Sequence, residues 1–380
     1  MKKIFVDKTA VFLSKILRPY AKKRLHQEMN NINYYNDGNI NFKRRDAFLL
    51  LTNHSFDIDS LAIGLVFKKL PIAIASRSLL VNKANKFRMK FLARVIPKAQ
   101  GVRDLRAMKR ALRSVRKGRA LMIMPEGEVT YFGNTLPIDK SIASFVKKLN
   151  VDVVTAVAYG GHISKPRWAS YPRENQYVEI HYDTLIHKEK INELSLDEIY
   201  NLITDKLDVK AFEWQREKMI KVGGQNRAEG LAEFLYKCPE CGTYHSIETR
   251  GNDIICIECN TKGYLDEYGF IQGFRFDNTV DWNEFQKQYI QELKKCNFKT
   301  TGIYVDIDYD IFTSKEVGQV VLEYGDDQLI ISGSKNLRME IKDIEYFRLT
   351  QGNVITFDYQ GNHYYIKIDS LHESFLQVCS

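Results

Sequence analysis

From Ala47 onward, short unbroken apolar runs alternate with segments of helical period: AFLLLT, DSLAIGLVFKKL, PIAIAS, KANKFRMKFLARV, DLRAMKRALRSVRKG, ALMIM, DKSIASFVKKL, VDVVTAVAY and YVEIHYDTLI. A strand without polar alternation is covered on both faces, and helices between such strands supply the cover. The stretch therefore predicts an α/β domain whose mostly parallel sheet is flanked by helices. A helix containing Phe212, Trp214 and Met219 leads to Gly223-Gly224, a break that predicts the domain's end near residue 225.

Around this domain the pattern changes three times, and four segments are expected: 1–35, 36–225, 226–269 and 270–380. The first reads as basic amphipathic helices, with Ile4, Phe5, Phe12, Leu13, Ile16 and Leu17 on one side and lysines on the other. The third is rich in cysteine. The fourth offers a helix around DWNEFQKQYIQELKK and then the alternating strands QVVLEY, DQLIIS, NVITFDY and HYYIKI, separated by turns at YGDD, GSKN and YQGN. That period-two pattern predicts a small β-rich accessory domain.

Charge is distributed unevenly. Residues 1–120 carry 28 Lys and Arg against 7 Asp and Glu, a net +21; the other 260 carry 28 against 40, a net −12, which together give the chain's +9. A block this basic calls for an anionic partner, namely phosphorylated substrate, anionic membrane or nucleic acid, unless it is only a solvated lysine-rich face. No apolar run approaches the ~18 residues of a membrane span. Asp7, Lys8 and Lys15 interrupt the apolar centre that an export signal needs, so a cytoplasmic protein is expected.

In a parallel sheet the carboxyl ends of the strands share one edge, where ligands of α/β proteins bind. Asn53 and His54 follow AFLLLT, Arg77 follows IAIAS, Glu126 and Gly127 follow ALMIM, and Gly160, Gly161 and His162 follow VDVVTAVAY. If a helix begins near Asp57, His54 stands on the loop before it and Asp59 in its first turn, where the helix dipole favours a carboxylate. Asp59 can then hold one imidazole nitrogen while the other faces the cleft, making His54 a general base for a hydroxyl. The same residues also fit a plainer arrangement in which Asp57 is a helix cap, Asp59 a first-turn acid and His54 a hydrogen-bonded loop residue. His-x-x-x-x-Asp alone does not choose between them.

Asn53-His54-Ser55-Phe56-Asp57-Ile58-Asp59 resembles the first block of the glycerolipid acyltransferases, the family of 1-acyl-glycerol-3-phosphate acyltransferase. Met124-Pro125-Glu126-Gly127 resembles its Pro-Glu-Gly block, and IPKAQGVRDLRAMKRAL and VVTAVAYGGHISKPRWA resemble the segments before and after. The resemblance covers about residues 30 to 190. It implies transfer of a fatty acyl group from acyl-carrier protein, acyl-CoA or acyl phosphate to a hydroxyl of a lysophospholipid such as lysophosphatidic acid. His54 would be the base, Asp59 its orienting partner, and Asn53, Glu126 and Gly127 part of the acceptor cleft. Arg77, Lys98, Arg103 and Arg167 would offer cations to the acceptor phosphate.

Two departures bear on the head group. Where many members carry an arginine two residues after Glu-Gly, this chain has Val129, and the second block survives only as Lys98 and Gly101-Val102-Arg103. The resemblance also implies phospholipid synthesis at the inner face of the cell membrane, where the basic third and the apolar residues Leu79, Leu80, Phe87 and Phe91 would meet anionic lipid. A non-catalytic acyltransferase-like module that only docks on membrane or nucleic acid is the competing class.

The cysteine segment reads CPEC-x14-CIEC. Cys238, Cys241, Cys256 and Cys259 form two knuckles whose thiolates close a tetrahedron, so a structural Zn²⁺ in a zinc ribbon is expected. Ribbons of this kind often bind nucleic acid, but this one lies in the acidic part of the chain and CGTYHSIETRGNDIIC shows little basic stacking surface, which argues against that partner.

Overall fold

The computed structural model describes residues 18–76, 95–98, 104–171, 173–308, 313–350, 353–369 and 378–379. By contacts the chain divides into two compact units, Met1–Arg167 with Glu174–Val222, and Trp168–Arg173 with Gly223–Ser380.

The first unit holds a seven-stranded sheet: β1 (Ile32–Asn36), β2 (Leu49–Thr52), β3 (Ile72–Ser76), β4 (Ile96–Lys98), β5 (Leu121–Ile123), β6 (Val153–Tyr159) and β7 (Val178–Ile186). Their order is β1-β7-β6-β2-β5-β3-β4. The five strands β6, β2, β5, β3 and β4 run parallel to one another, β7 is antiparallel to β6, and β1 is parallel to β7. The expected mostly parallel, helix-flanked sheet is thus the fold of this unit.

The apolar runs explain themselves in the packing. Leu49 and Leu51 of β2 point into a core with Ala107 and Ala111 of α3 (Leu105–Arg116), Ile142 and Val146 of α4 (Ser141–Leu149), and Ile199 and Ile203 of α6 (Leu196–Leu207). Leu50, between them, enters a second core with Met29, Ile63 of α2 (Asp59–Gly64) and Tyr182 of β7. All three leucines are fully buried. Each contributes about 1.5–3 kcal/mol over an exposed side chain, and neither face of the strand has room for a polar residue. Helix starts follow local chemistry: the Asp104 side chain caps α3 by accepting from Ala107 N, and Ser195 and Glu198 close a reciprocal capping box on α6.

Differences from the sequence reading lie at the margins. Residues 18–28 form α1, but Ile32–Asn36, read as the end of a helical arm, is strand β1, in register with Val178–Tyr182. Its sequence INYYN is half polar because β1 is an edge strand with little to bury. The apolar residues Ile4, Phe5, Phe12, Leu13, Ile16 and Leu17 lie outside the described residues, as do Leu79, Leu80, Phe87 and Phe91. Leu25 of α1 is buried in the core, and the Arg18 side chain reaches the carbonyls of Leu65, Phe67 and Lys68, so α1 packs on its own unit.

In the second unit, β8 (Ile247–Arg250), β9 (Asp253–Cys256), β10 (Lys262–Leu265) and β11 (Ile271–Gln272) make a four-stranded antiparallel sheet. After two helices, Thr279–Lys287 and Ile290–Leu293, a second antiparallel sheet of seven strands runs from Phe298 to Ile368. Tight turns set its register. Asp326 and Asp327 both take positive φ, 51° and 56°, as a two-residue hairpin loop requires, and Gln360-Gly361 does the same at 48° and 74°. Among the described residues no helix is long and apolar enough to cross a membrane.

Candidate active site

The ends of β2, β5 and β6 stand side by side, because β2 lies between the other two. The pocket at this edge is lined by Asn53, His54, Glu126, Thr130, Gly161 and His162 among others. Two glycines allow the strand ends to meet. Gly160 has φ +76°, and a side chain on Gly161 would collide with Ser55 and Phe56 on the loop after β2.

His54 Nδ1 lies 2.8 Å from Asp59 Oδ2, the His54 side chain is 19% exposed and that of Asp59 fully buried. The same oxygen accepts the backbone N–H groups of Ser55 at 3.1 Å and Phe56 at 3.5 Å. A carboxylate that accepts from Nδ1–H leaves Nε2 as the basic atom of the neutral ring, and no described residue hydrogen-bonds to Nε2. Burial alone would depress the imidazolium. The charge and hydrogen bond of Asp59, with Glu126 behind them, outweigh burial and hold the His54 pKa above its ordinary value.

The residues expected to surround this pair divide. Asn53 is buried and closes a two-point bridge to β6, donating from Nδ2 to Ala158 O at 2.9 Å and accepting from Ala158 N at 2.8 Å. It joins strands; nothing places it on a substrate. Glu126 is buried too, with Oε1 accepting from His54 N at 2.6 Å and Oε2 from Leu136 N at 2.7 Å. Burial pushes its carboxyl up to about 8, against the two N–H groups that favour the charged form. Gly127 beside it is exposed, has φ +78°, and has open space where a side chain would stand.

Of the two expected cations that are described, Arg167 acts on His54 by its charge, lowering the imidazole pKa, but its guanidinium is held by other partners. Arg167 is turned inward: Nη1 donates to Val129 O at 3.2 Å and lies 3.5 Å from Glu128 Oε2, with both side chains only 7% exposed. Its guanidinium stands 4.0 Å from the Tyr131 ring, and the Tyr131 hydroxyl donates to the same Glu128 oxygen. Glu128 therefore faces the guanidinium charge of Arg167. Lys98 ends β4, three strands from β2, which is roughly 14 Å at about 4.8 Å per strand. Arg77 and Arg103 lie outside the described residues.

Asp57 corrects the reading of the helix start. It caps nothing: α2 begins at Asp59 with Ile58 at the cap position and no side-chain cap. Asp57 instead pairs with Lys165 Nζ at 2.9 Å, and Glu28 of α1 holds the same ammonium at 3.1 Å. Glu128 and Lys165 went unread in the sequence. The replacement of an expected arginine by Val129, next to an extra glutamate, was the signal available for Glu128.

In the second unit the four cysteines of the two knuckles converge, with all Sγ atoms within 4.8 Å of one another, so they can hold a metal ion. Cys238 Sγ lies 3.9 Å from Cys259 Sγ, and Cys241 Sγ 3.7 Å from Cys256 Sγ. Each knuckle is closed by its own backbone, Cys238 N donating to Thr243 O and Cys256 N to Thr261 O.

A family model described as Acyltransferase matches residues 31–159, from β1 through β6. Among curated proteins, DNA repair protein RecN of Rickettsia felis and of Rickettsia conorii are each 23% identical over 142 residues, 35% of this chain and 26% of theirs. The chain thus spans about a quarter of the length of those relatives. Among solved structures, the 1-acyl-sn-glycerophosphate (LPA) acyltransferase PlsC from Thermotoga maritima is similar with a TM-score of 0.39 and 16% sequence identity, covering 52% of this chain and 82% of that one.

Proposed function

We propose that this protein transfers a fatty acyl group from an acyl thioester or acyl phosphate to a hydroxyl of a lysophospholipid, with His54 as general base and Asp59 as its orienting partner. The observation that carries the proposal is the buried Asp59 on Nδ1 of a histidine that lines the strand-end pocket. Nε2 takes the proton of the acceptor hydroxyl as its oxygen attacks the acyl carbonyl. The bond to sulfur, or to phosphate oxygen, then breaks, and the imidazolium returns the proton to a leaving thiolate. Asp59 stabilises that imidazolium and keeps the ring in one tautomer. No serine or cysteine nucleophile enters the scheme.

Gly127, where the strand-end turn is open, gives the acceptor a close backbone approach. The acceptor phosphate falls to Lys98, Arg77 and Arg103 rather than Arg167, whose charge Glu128 meets. The basic first third of the chain, net +21, draws the protein to anionic lipid, at up to ~1 kcal/mol per cation near the surface. This fits a peripheral enzyme working on lipid at the inner face of the cell membrane.

The four cysteines fit Zn²⁺. Bonds of about 2.3 Å to a tetrahedral zinc put its sulfur ligands about 3.8 Å apart, which the Cys238–Cys259 and Cys241–Cys256 sulfur pairs, 3.9 and 3.7 Å, match. Four thiolates leave no open position, so the ion would supply folding energy to the ribbon and no chemistry.

The test is direct. Purified protein is incubated with acyl-CoA or acyl-carrier protein and a panel of lysophospholipids, and product lipids are followed by mass spectrometry for the wild type and His54→Ala. New diacyl product that depends on His54 is expected; equal product from both proteins across the panel would sink the proposal.

A further inference from the structure

The loop after β2 presents three consecutive backbone N–H groups, of His54, Ser55 and Phe56, and all three are accepted by two side-chain carboxylates. Asp59 takes those of Ser55 and Phe56, and Glu126 takes that of His54 itself. The His54 carbonyl is held as well, accepting from Thr130 N at 2.9 Å. The peptide on each side of the base is therefore fixed from β5 and the loop that follows it.

Glu126 is the pin between these parts. Its second oxygen accepts from Leu136 N, at the far end of the 130–136 loop. That loop is closed on itself by Thr130, whose hydroxyl donates to Asn134 O and accepts from Gly133 N. It is tied onward through Thr135 Oγ1, which donates to Leu207 O at 2.8 Å and accepts from Val209 N at 2.9 Å. Both Glu126 oxygens thus face backbone donors, in a residue only 8% exposed, while the open side of the turn belongs to Gly127.

We infer that Glu126 is a positioning residue for His54 rather than a ligand of the acceptor: it fixes the His54 peptide so that the ring stands where Asp59 can hold Nδ1. This rests on the reading of His54 as the base, and it reassigns the role that the Pro-Glu-Gly resemblance implied for Glu126. The side chain is suited to the task because each of its two carboxyl oxygens accepts one backbone N–H, at 2.6 and 2.7 Å, so a single residue ties the His54 peptide to Leu136. Displacing a base by even ~1 Å lowers turnover by about 10²-fold without touching the binding of substrate.

The experiment uses the full chain with Glu126→Gln, which keeps one acceptor oxygen, and Glu126→Ala, which keeps none. Steady-state kinetics should show kcat falling by about 10²-fold in Glu126→Ala and by less in Glu126→Gln, with the acceptor KM within about threefold of wild type. In parallel, nitrogen-15 NMR of the histidine side chains should show a downfield hydrogen-bonded Nδ1–H for His54 in the wild type that is lost or split in Glu126→Ala, with circular dichroism unchanged. If KM rises while kcat is kept, or if the His54 resonance is the same in both variants as in wild type, Glu126 does not position the base. The NMR arm requires no turnover. Should the wild type transfer no acyl group to any acceptor, the acyltransferase reading fails while the positioning of His54 is still decided.

Discussion

The protein contains two constellations of reactive side chains, and they are assembled in opposite ways. The cysteine knuckles draw all four sulfurs from residues 238 to 259, and each knuckle is closed by hydrogen bonds from its own backbone. The strand-end site draws His54 and Asp59 from one loop, Glu126 from another, and its glycines from a third. Metal chemistry can hold the first together by itself. The second exists only because sheet order puts β2 between β5 and β6. Loss of a ligand should therefore unfold the ribbon, whereas loss of His54 should remove chemistry from a standing fold.

The largest effect expected is at the ribbon. Zinc in small thiolate sites contributes on the order of 10 kcal/mol of apparent binding energy, so Cys238→Ser should drop bound metal from about one per chain to near none and abolish the ribbon's cooperative melting. Metal analysis and calorimetry check this. Unchanged zinc content in the variant would mean that the four sulfurs are not the ligand set.

Next comes the base. His54→Ala and Asp59→Asn should each lower product formation by about 10²–10⁴-fold, with the melting temperature and zinc content of the first kept. If either substitution melts the first unit, the contrast between chemistry and folding is wrong for this site.

A smaller effect concerns pH. Because the His54 pKa is held above its ordinary value, about 6.5, the neutral base accumulates only at higher pH, and the rate should rise with pH through a midpoint above that value. Residual activity of Asp59→Asn should show this midpoint moved down, since the charge that favours imidazolium is gone. Stability runs in the opposite sense. The folded state binds the His54 proton more tightly, so that contribution is present below about 6.5 and lost as pH rises through the raised pKa. Glu126, raised from 4.5 to about 8, likewise loses its own contribution as pH rises from about 4.5 to about 8. Wild type should accordingly lose melting temperature as pH rises from about 4.5 to about 8, and Glu126→Gln should lose less of it.

Much of this was legible in the residues, for identifiable reasons. The parallel sheet was readable because AFLLLT, ALMIM and VDVVTAVAY serve two cores at once and can contain no polar alternation. Strands β1 and β4 escaped because INYYN and IPK sit at the two edges of that sheet, where one flank has no partner to bury against. The spacing of the cysteines announced their convergence, since a knuckle is a local structure. The contacts of the candidate site that the sequence did not announce share another property. Asn53 and Glu126 bind backbone groups, Ala158 N and O in one case, His54 N and Leu136 N in the other, and a backbone group has no signature in sequence. Arg167 was read as a cation for phosphate because its partner, Glu128, becomes its neighbour only when the strand ends meet.

The smallest expected effect separates the two aspartates of the His54 loop. Asp57 and Asp59 are two residues apart, yet the first is partly exposed at 35% of its side chain and the second fully buried. Asp57 faces Lys165, which is itself 27% exposed and already paired with Glu28. A half-exposed ion pair of this kind is worth at most about 1 kcal/mol, and Lys165 keeps a counter-charge when Asp57 loses its own. Because Ile58, not Asp57, occupies the cap position of α2, Asp57→Asn removes no helix cap. Its turnover should stay within about twofold of wild type, a barrier change of under ~0.5 kcal/mol, and its melting temperature should barely move. Lys165→Met, which leaves Asp57 without its cation and Glu28 with Arg24 alone, should destabilise more than Asp57→Asn while sparing the His54–Asp59 bond. Were Asp57→Asn to reduce kcat as far as Asp59→Asn does, the loop would be held by Lys165 rather than by the buried carboxylate.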